Sequence, residues 1–158
     1  MTVWKHGFRQ STIRLATKKD RSHTAATPQL PKHPMPDFIY SLNSSTIRPT
    51  PILEKIAIAG RCGYQAIELW HDDIDLYLLA GGHLADIRKA VDDAGLEVPT
   101  TIFLKGWWDT TGDEYDRAIE EIQRRLEQSA AVGATYAIGG PPLGPVDFEL
   151  GARQYARL

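Results

Sequence analysis

Apolar residues fall into two alternating patterns along this chain: short continuous runs, and longer stretches in which every third or fourth position is apolar. The runs read as strands and the spaced stretches as helices. Asp37 to Leu42 is the first run, followed by a polar loop from Asn43 to Thr46. Pro49-Thr50-Pro51 then opens a helix, with Thr50 placed to cap it and Pro51 in the first turn, where a missing N–H costs nothing. Ile52, Leu53, Ile56 and Ala59 share one face of that helix, which ends at Gly60 or Gly63. The second run is Ala66 to Trp70. His71-Asp72-Asp73 and a connection lead from it to Gly81-Gly82, and a helix from Leu84 to Asp93 carries Leu84, Ile87 and Val91 as its stripe before Gly95 stops it. The third unit has its strand within Leu96 to Leu104, a loop from Lys105 to Gly112, and a long helix from Asp113 to Val132 striped by Tyr115, Ile119, Ile122 and Leu126. The fourth strand, Thr135 to Ile138, runs into Gly139-Gly140-Pro141-Pro142, and a last helix starts at Asp147 with Phe148, Leu150 and Tyr155 among its apolar residues.

Four strand-helix units in succession imply an α/β protein with a parallel sheet and right-handed crossovers. An open doubly wound sheet and a barrel both use that pattern. A doubly wound nucleotide-binding domain would need a glycine-rich phosphate turn after its first strand, which is missing here. Gly139-Gly140 is no substitute, because no helix opening on Gly-Lys-Ser/Thr follows it.

Residues 1–36 break the pattern. They carry seven Lys and Arg against Asp20 alone, are rich in Thr and Ser, and close in Pro28, Pro31, Pro34 and Pro36. Such a stretch buries too little apolar surface to offset the entropy of ordering it, so it reads as a disordered extension. It fits a targeting peptide, a basic tail, or an extension upstream of the true start; Met35, directly before the first strand, favours the last. Residues 37–158 hold eleven basic against nineteen acidic side chains, a surface that does not suit nucleic acid. With 158 residues, 42% of them hydrophobic, the chain fits one ordinary domain, and no run is long enough to span a membrane. Cys62 has no partner for a disulfide, which suits a reducing, cytoplasmic compartment, and it reads as a small buried residue near a helix end.

Chemistry concentrates where the second strand ends. In Ala66 to Trp70, Ile67 and Leu69 point one way and Ala66, Glu68 and Trp70 the other, so one face of a central strand carries a carboxylate. Charge there is costly unless it is paired or opens into a polar cavity such as a barrel mouth.

Leu-Glu-Lys-Ile-Ala-Ile-Ala-Gly-Arg-Cys-Gly-Tyr-Gln-Ala-Ile-Glu-Leu-Trp, ending at Trp70, resembles the first helix and second strand of the xylose isomerase-like TIM barrels, the sugar phosphate isomerase and epimerase superfamily. Asp93-Ala-Gly-Leu-Glu-Val resembles the join into that family's third strand, and Ala130-Ala-Val-Gly-Ala-Thr-Tyr-Ala-Ile the join into its fourth. The resemblance covers residues 37–158 and implies the first half of an eight-stranded (β/α)8 barrel. It further implies a divalent metal, Mn, Mg or Zn, that polarises a substrate carbonyl and hydroxyl while carboxylates move a proton at the adjacent carbon; related members are dehydratases of inosose or dehydroshikimate. The metal ligands of the isomerase and dehydratase branches come from the fifth to eighth strands. A complete barrel takes about 250 residues, so the expectation is a truncated member, inactive alone, to which no catalytic residue and no metal ligand is assigned and which binds no metal tightly. A half-barrel that closes by self-association, or with a second polypeptide, is the competing expectation.

The residues left to bind a small sugar or polyol are on the rim. Glu68 and His71 are candidates to hold substrate hydroxyls, against the plainer roles of a structural carboxylate and a solvated loop histidine. Trp107 and Trp108 are candidates to wall a sugar pocket, one ring in and one out, against ordinary packing under a loop. Lys105 is a candidate partner for a substrate carboxylate or phosphate, against a merely solvated lysine, and Asn43 and Gly139-Gly140 share the rim. His71 with Asp72 or Asp73 is a poor metal site, since the third and fourth strands end in Trp107-Trp108 and Gly139-Gly140 rather than in further histidines.

Overall fold

The computed structural model describes residues 38–158. The 1–36 extension lies outside them, as does Asp37, where the first strand is expected to begin. Among the described residues four strands, β1 (Ser41–Asn43), β2 (Ala66–Trp70), β3 (Val98–Leu104) and β4 (Ala134–Gly139), pair in parallel in the order β1-β2-β3-β4. Spatial order follows chain order, so these strands contain no point at which the winding reverses. That removes the doubly wound sheet and leaves the progression of a barrel.

Among the described residues five helices accompany the strands: α1 (Ile52–Arg61), α2 (His71–Leu79), α3 (Leu84–Asp93), α4 (Asp113–Ala131) and α5 (Phe148–Tyr155). A short 3-10 turn, Ser44–Ile47, follows β1 and is capped by the Asn43 side chain, which accepts from the Ser45 N–H. This corrects the purely polar loop expected there and moves Asn43 to the end of the strand. At α1 the cap is Pro51 itself, whose carbonyl takes the first helical bond from the Lys55 N–H, while the Thr50 N–H is drawn back to Ile47. Thr50 therefore does not cap. Gly63 follows the helix at φ 82°, the left-handed turn that a glycine makes without Cβ strain. Cys62 is exposed, not buried as expected, because it sits at the solvent side of that helix end.

α2 is the larger correction. His71-Asp72-Asp73 is not a loop but the first turn of a helix that begins directly after β2, with Trp70 as its cap residue. No Ser, Thr or Asn side chain announces it, and only His71 and Ile74 are buried, so no apolar stripe marks it either. Asp72 and Asp73 do mark it, as acids favoured beside the positive end of the helix dipole.

Ile67 and Leu69 of β2 and Leu42 of β1 pack against Ile52, Ile56 and Ala59 of α1 and Ile87 and Val91 of α3 to form the main core. Gly60 lets α1 approach α3 closely, since a Cβ there would stand 3.1 Å from that of Ala94. A second cluster joins Leu104, Trp107, Tyr115 and Ile122. Along α4 the buried stripe continues through Arg125, Gln128 and Ser129, and Leu126 is exposed. The expected apolar stripe is thus half polar, for a reason given by what those residues touch.

Candidate functional site

The strand register sets out two rows across the sheet face opposite the main core. Asn43 pairs with Glu68, the Leu69–Thr101 pairing brings Glu68 beside Thr100, and Thr100 pairs with Tyr136. One step nearer the carboxyl ends, Trp70, Ile102 and Ile138 lie side by side. Tyr136 is 71% exposed and Ile138 39%. Beyond that row β3 holds one extra residue, because Ile102 pairs with Ile138 but Leu104 with Gly139. The bulge switches the alternation of faces and turns Leu104 into the cluster under α4.

Glu68 is the centre of the first row. Its Oε1 accepts from the Thr100 hydroxyl at 2.7 Å and its Oε2 from the Asn43 amide at 3.2 Å. Asn43 is itself held: its Oδ1 accepts from the Trp70 indole at 2.9 Å and from both the backbone N–H and the hydroxyl of Ser45. None of the ion pairs among the described residues involves Glu68. Each carboxylate oxygen has two lone pairs, so a Glu68 held by one neutral donor per oxygen keeps acceptor capacity for two further hydroxyls. The Arg48 guanidinium, from the β1–α1 connection, lies over the Trp70 ring with its carbon 4.9 Å from the ring centroid.

Asp73, Asp75 and Glu121 are matched to cations. Asp73 accepts from Lys55 Nζ at 2.6 Å and from the Ser44 hydroxyl at 3.2 Å, with the lysine side chain 1% exposed and the aspartate 17%. This pair ties α1 and α2 to the turn that Asn43 caps. Asp75 receives Arg124 and Gln128, and Glu121 receives Arg124 and Arg125. Burial pushes the Asp75 carboxyl up, but the hydrogen bonds from Arg124 and Gln128 outweigh it and leave Asp75 below its ordinary value. The Arg124 hydrogen bond, helped by Arg125 and opposed by burial, brings Glu121 down to about 2.

His71 belongs to that second network and not to the rim. Its side chain is buried on the helix-covered side, with Nδ1 3.0 Å from Gln128 Oε1 and Nε2 3.5 Å from Ser129 Oγ. Gln128 Oε1 is an acceptor, so the ring proton sits on Nδ1. Burial lowers the imidazole below its ordinary value, with the Gln128 contact opposing. Thr101, on the same side of β3, meets Ser129 at 2.7 Å. Both ring nitrogens of His71 are thereby turned to α4, which corrects its expected position in a solvated loop at the rim.

Trp107 is buried, its indole N–H donating to the Leu104 carbonyl, and Trp108 is half-buried with its ring against Phe148 and Gly151 of α5. Both rings pack toward the helices, 5.2 Å apart between centroids, Trp107 in the cluster with Tyr115 and Ile122 and Trp108 against α5. Lys105 is exposed and lies 3.4 Å from Asp72. The structure therefore brings together Asn43 and Glu68 of the expected rim residues, and adds Thr100, Trp70, Arg48 and Tyr136. Thr100 was legible as a polar residue of a central strand; Arg48 carries no signal in the sequence.

No family model matches the chain and no curated relative matches it. Solved structures do. A xylose isomerase-like TIM barrel/4-hydroxyphenylpyruvate dioxygenase fusion protein is 14% identical, with a TM-score of 0.61 over 72% of this chain and 18% of that one. A xylose isomerase domain containing protein from Salmonella typhimurium is 17% identical, with a TM-score of 0.59 over 74% of this chain and 42% of that one. The probable 3-DHS dehydratase involved in petrobactin synthesis from Bacillus anthracis is 16% identical, with a TM-score of 0.53 over 65% of this chain and 38% of that one. The chain spans less than half the length of each. Its four parallel strand-helix units take the fold of part of a xylose isomerase-like TIM barrel.

Proposed function

We propose that the chain forms the substrate-holding wall of a metal-dependent isomerase or epimerase-like barrel acting on a small sugar or polyol, with proton transfer next to a carbonyl as its reaction. The observation that carries this reading is Glu68: a carboxylate in the middle of an inner parallel strand, held on both oxygens by neutral donors and matched to no cation. Asp73 and Glu121, by contrast, are each bonded to a basic side chain. Glu68 instead retains lone pairs for hydroxyl groups, while Trp70 and Tyr136 offer ring faces to the C–H surface of a polyol.

The donor set does not fit a metal. Among the described residues no three His, Cys, Asp or Glu side chains converge, and His71 is turned into the α4 network. On this reading the metal is held outside the described strands, and no step is assigned to it here. The same wall suits a dehydratase, the activity ascribed to one of the similar structures, and the two readings differ in whether water is eliminated from the substrate. A cytoplasmic setting goes with such substrates; among the described residues no helix is long and apolar enough to cross a membrane.

Sorbitol binding, followed by NMR, tests the proposal. Each hydrogen bond to a charged acceptor is worth about 1.5–3 kcal/mol, so Glu68→Gln is expected to weaken binding about tenfold or more, and Thr100→Val to weaken it less. Unchanged affinity in Glu68→Gln would remove the reading. The exposed Tyr136 and Ile138 of the outer strand β4 favour one second reading, a wall covered by another copy or another polypeptide; sedimentation showing a tight dimer would support it.

A further inference from the structure

We infer that His71 is a proton-operated latch between α2 and α4, and that its charge state sets how firmly the Asn43–Glu68 row is held. The ligand side of this inference rests on the reading of that row as a polyol site; the latch itself does not. His71 is the first residue of α2, and its side chain is fully buried and turned to α4. The residue before it, Trp70, stands at the cap position of α2 with an extended backbone, φ −88° and ψ 133°, and sends its indole N–H to Asn43 at 2.9 Å. Asn43 in turn donates to Glu68. One peptide bond therefore separates the buried imidazole from the residue that braces the row.

The surroundings suit a neutral ring. Gln128 donates its amide N–H to Asp75 at 2.8 Å, which aims its oxygen at His71, so Nδ1 carries the proton and Nε2 a lone pair. Nε2 faces the Ser129 hydroxyl oxygen at 3.5 Å, and that oxygen already lies 2.7 Å from the Thr101 hydroxyl and 2.8 Å from the Arg125 carbonyl. A second ring proton thus arrives at Nε2 with this acceptor at the outer limit of a hydrogen bond. The charges that act on the ring stand on α2 and α4. Asp75 favours the imidazolium, but it is matched to Arg124 and Gln128, while Arg125 and Arg124 oppose it; Asp72 and Glu121 are turned to Arg125. Thr101 of β3 and Ser129 of α4 bring no charge. An imidazolium formed here is relieved when the first turn of α2 moves off α4 and admits water to Nε2. Asp73, two residues on, stays tied to Lys55 and Ser44, so the displacement falls on His71 and Trp70, and through the indole on Asn43.

The latch is tested first without ligand. In the nitrogen-15-labelled full chain the His71 ring and the Trp70 indole are followed by NMR from about pH 7.5 down to about pH 5, across the imidazole range and above that of ordinary carboxylates. The Trp70 resonance is expected to titrate with the midpoint of His71, below 6.5, while that of Trp107, bonded to Leu104, stays still. His71→Asn, whose side-chain N–H keeps a donor toward Gln128, abolishes the Trp70 titration. Sorbitol affinity falls severalfold over the same range in the unmodified chain and is flat in His71→Asn, the two being equal at the upper end. The latch is overturned by a Trp70 resonance that stays still while His71 titrates, by a His71 ring that stays neutral throughout, or by a Trp70 titration that survives in His71→Asn. Sorbitol affinity that ignores pH while Trp70 titrates overturns the link to the row. Failure of sorbitol to bind at any pH removes the reading of the Glu68 row, and the ligand-free comparison of the two midpoints still decides the latch.

Discussion

Lys55 and Asp73 make the sharpest stability prediction, because the two halves of their ion pair are buried to different depths. The lysine side chain is 1% exposed and the aspartate 17%, and the aspartate has a second donor in Ser44 and a place in the first turn of α2. Asp73→Ala leaves an ammonium in the core with no partner, and the cost of breaking a buried pair in this way is about 3–5 kcal/mol. Lys55→Met removes the ammonium, keeps most of the volume, and leaves a carboxylate that retains a hydroxyl donor, a helix N-terminus and some water. Its cost falls to about 2 kcal/mol, below the range for an abandoned buried charge. The double variant Lys55→Met/Asp73→Ala then costs less than the sum of the singles, by about 2 kcal/mol or more. Urea unfolding followed by far-UV circular dichroism measures all four proteins, and comparison of midpoints at a common slope gives the differences. Equal costs for the two single variants, the reverse order, or strict additivity would refute the argument from burial.

Other consequences are as direct. His71 has its folded value depressed below 6.5 by burial, so the unfolded chain binds its proton first, and stability must fall as pH drops below about 6.5, at a slope approaching 1.4 kcal/mol per pH unit at most. His71→Asn should flatten the pH dependence of the urea midpoint between pH 5 and 7 (roughly the imidazole range), and an undiminished slope would show that another group titrates. Glu121, brought to about 2 by Arg124, should keep its charge well below its ordinary value of 4.5, and its stabilising role should be present above that pH and vanish only as the solution approaches pH 2; a carboxyl carbon titration by NMR centred near 4.5 would contradict the pairing. Gly151→Val places side-chain atoms where the Trp108 ring lies, so Trp108 fluorescence should shift to the red as the ring is displaced, and an unmoved spectrum would place the ring elsewhere.

Local signals were readable where the chain's own neighbours decide the structure. The Leu84–Asp93 helix and the Ala66–Trp70 strand have the bounds their periodicity implies, with Gly95 at φ 65° after the helix. The parallel succession was readable for the same reason. What escaped depends on partners distant in sequence. His71 looked like a loop histidine because Gln128, 57 residues on, is what buries it. Arg125, Gln128 and Ser129 sit at the right spacing for a buried face, but only the pairing with Asp72, Asp75, His71 and Thr101 explains polar groups there. Trp107 and Trp108 were readable as aromatic mass after the third strand; the bulge and α5 decide that both rings turn to the helices. Glu68 could be placed on a face from alternation alone, whereas its donors Asn43 and Thr100 follow from register, which single-sequence periodicity does not set.

The central claim is that the Asn43, Glu68 and Thr100 row, with Trp70 beside it, receives a polyol. Two indoles make the most direct test. The Trp70 N–H donates to Asn43 inside the row, and the Trp107 N–H donates to Leu104 in the cluster under α4. In a titration of the nitrogen-15-labelled chain with sorbitol and gluconate, the Trp70 indole resonance should shift saturably while that of Trp107 stays still, and Glu68→Gln should suppress the shift. A Trp70 resonance unmoved by either ligand, or a shift confined to Trp107, would contradict the account.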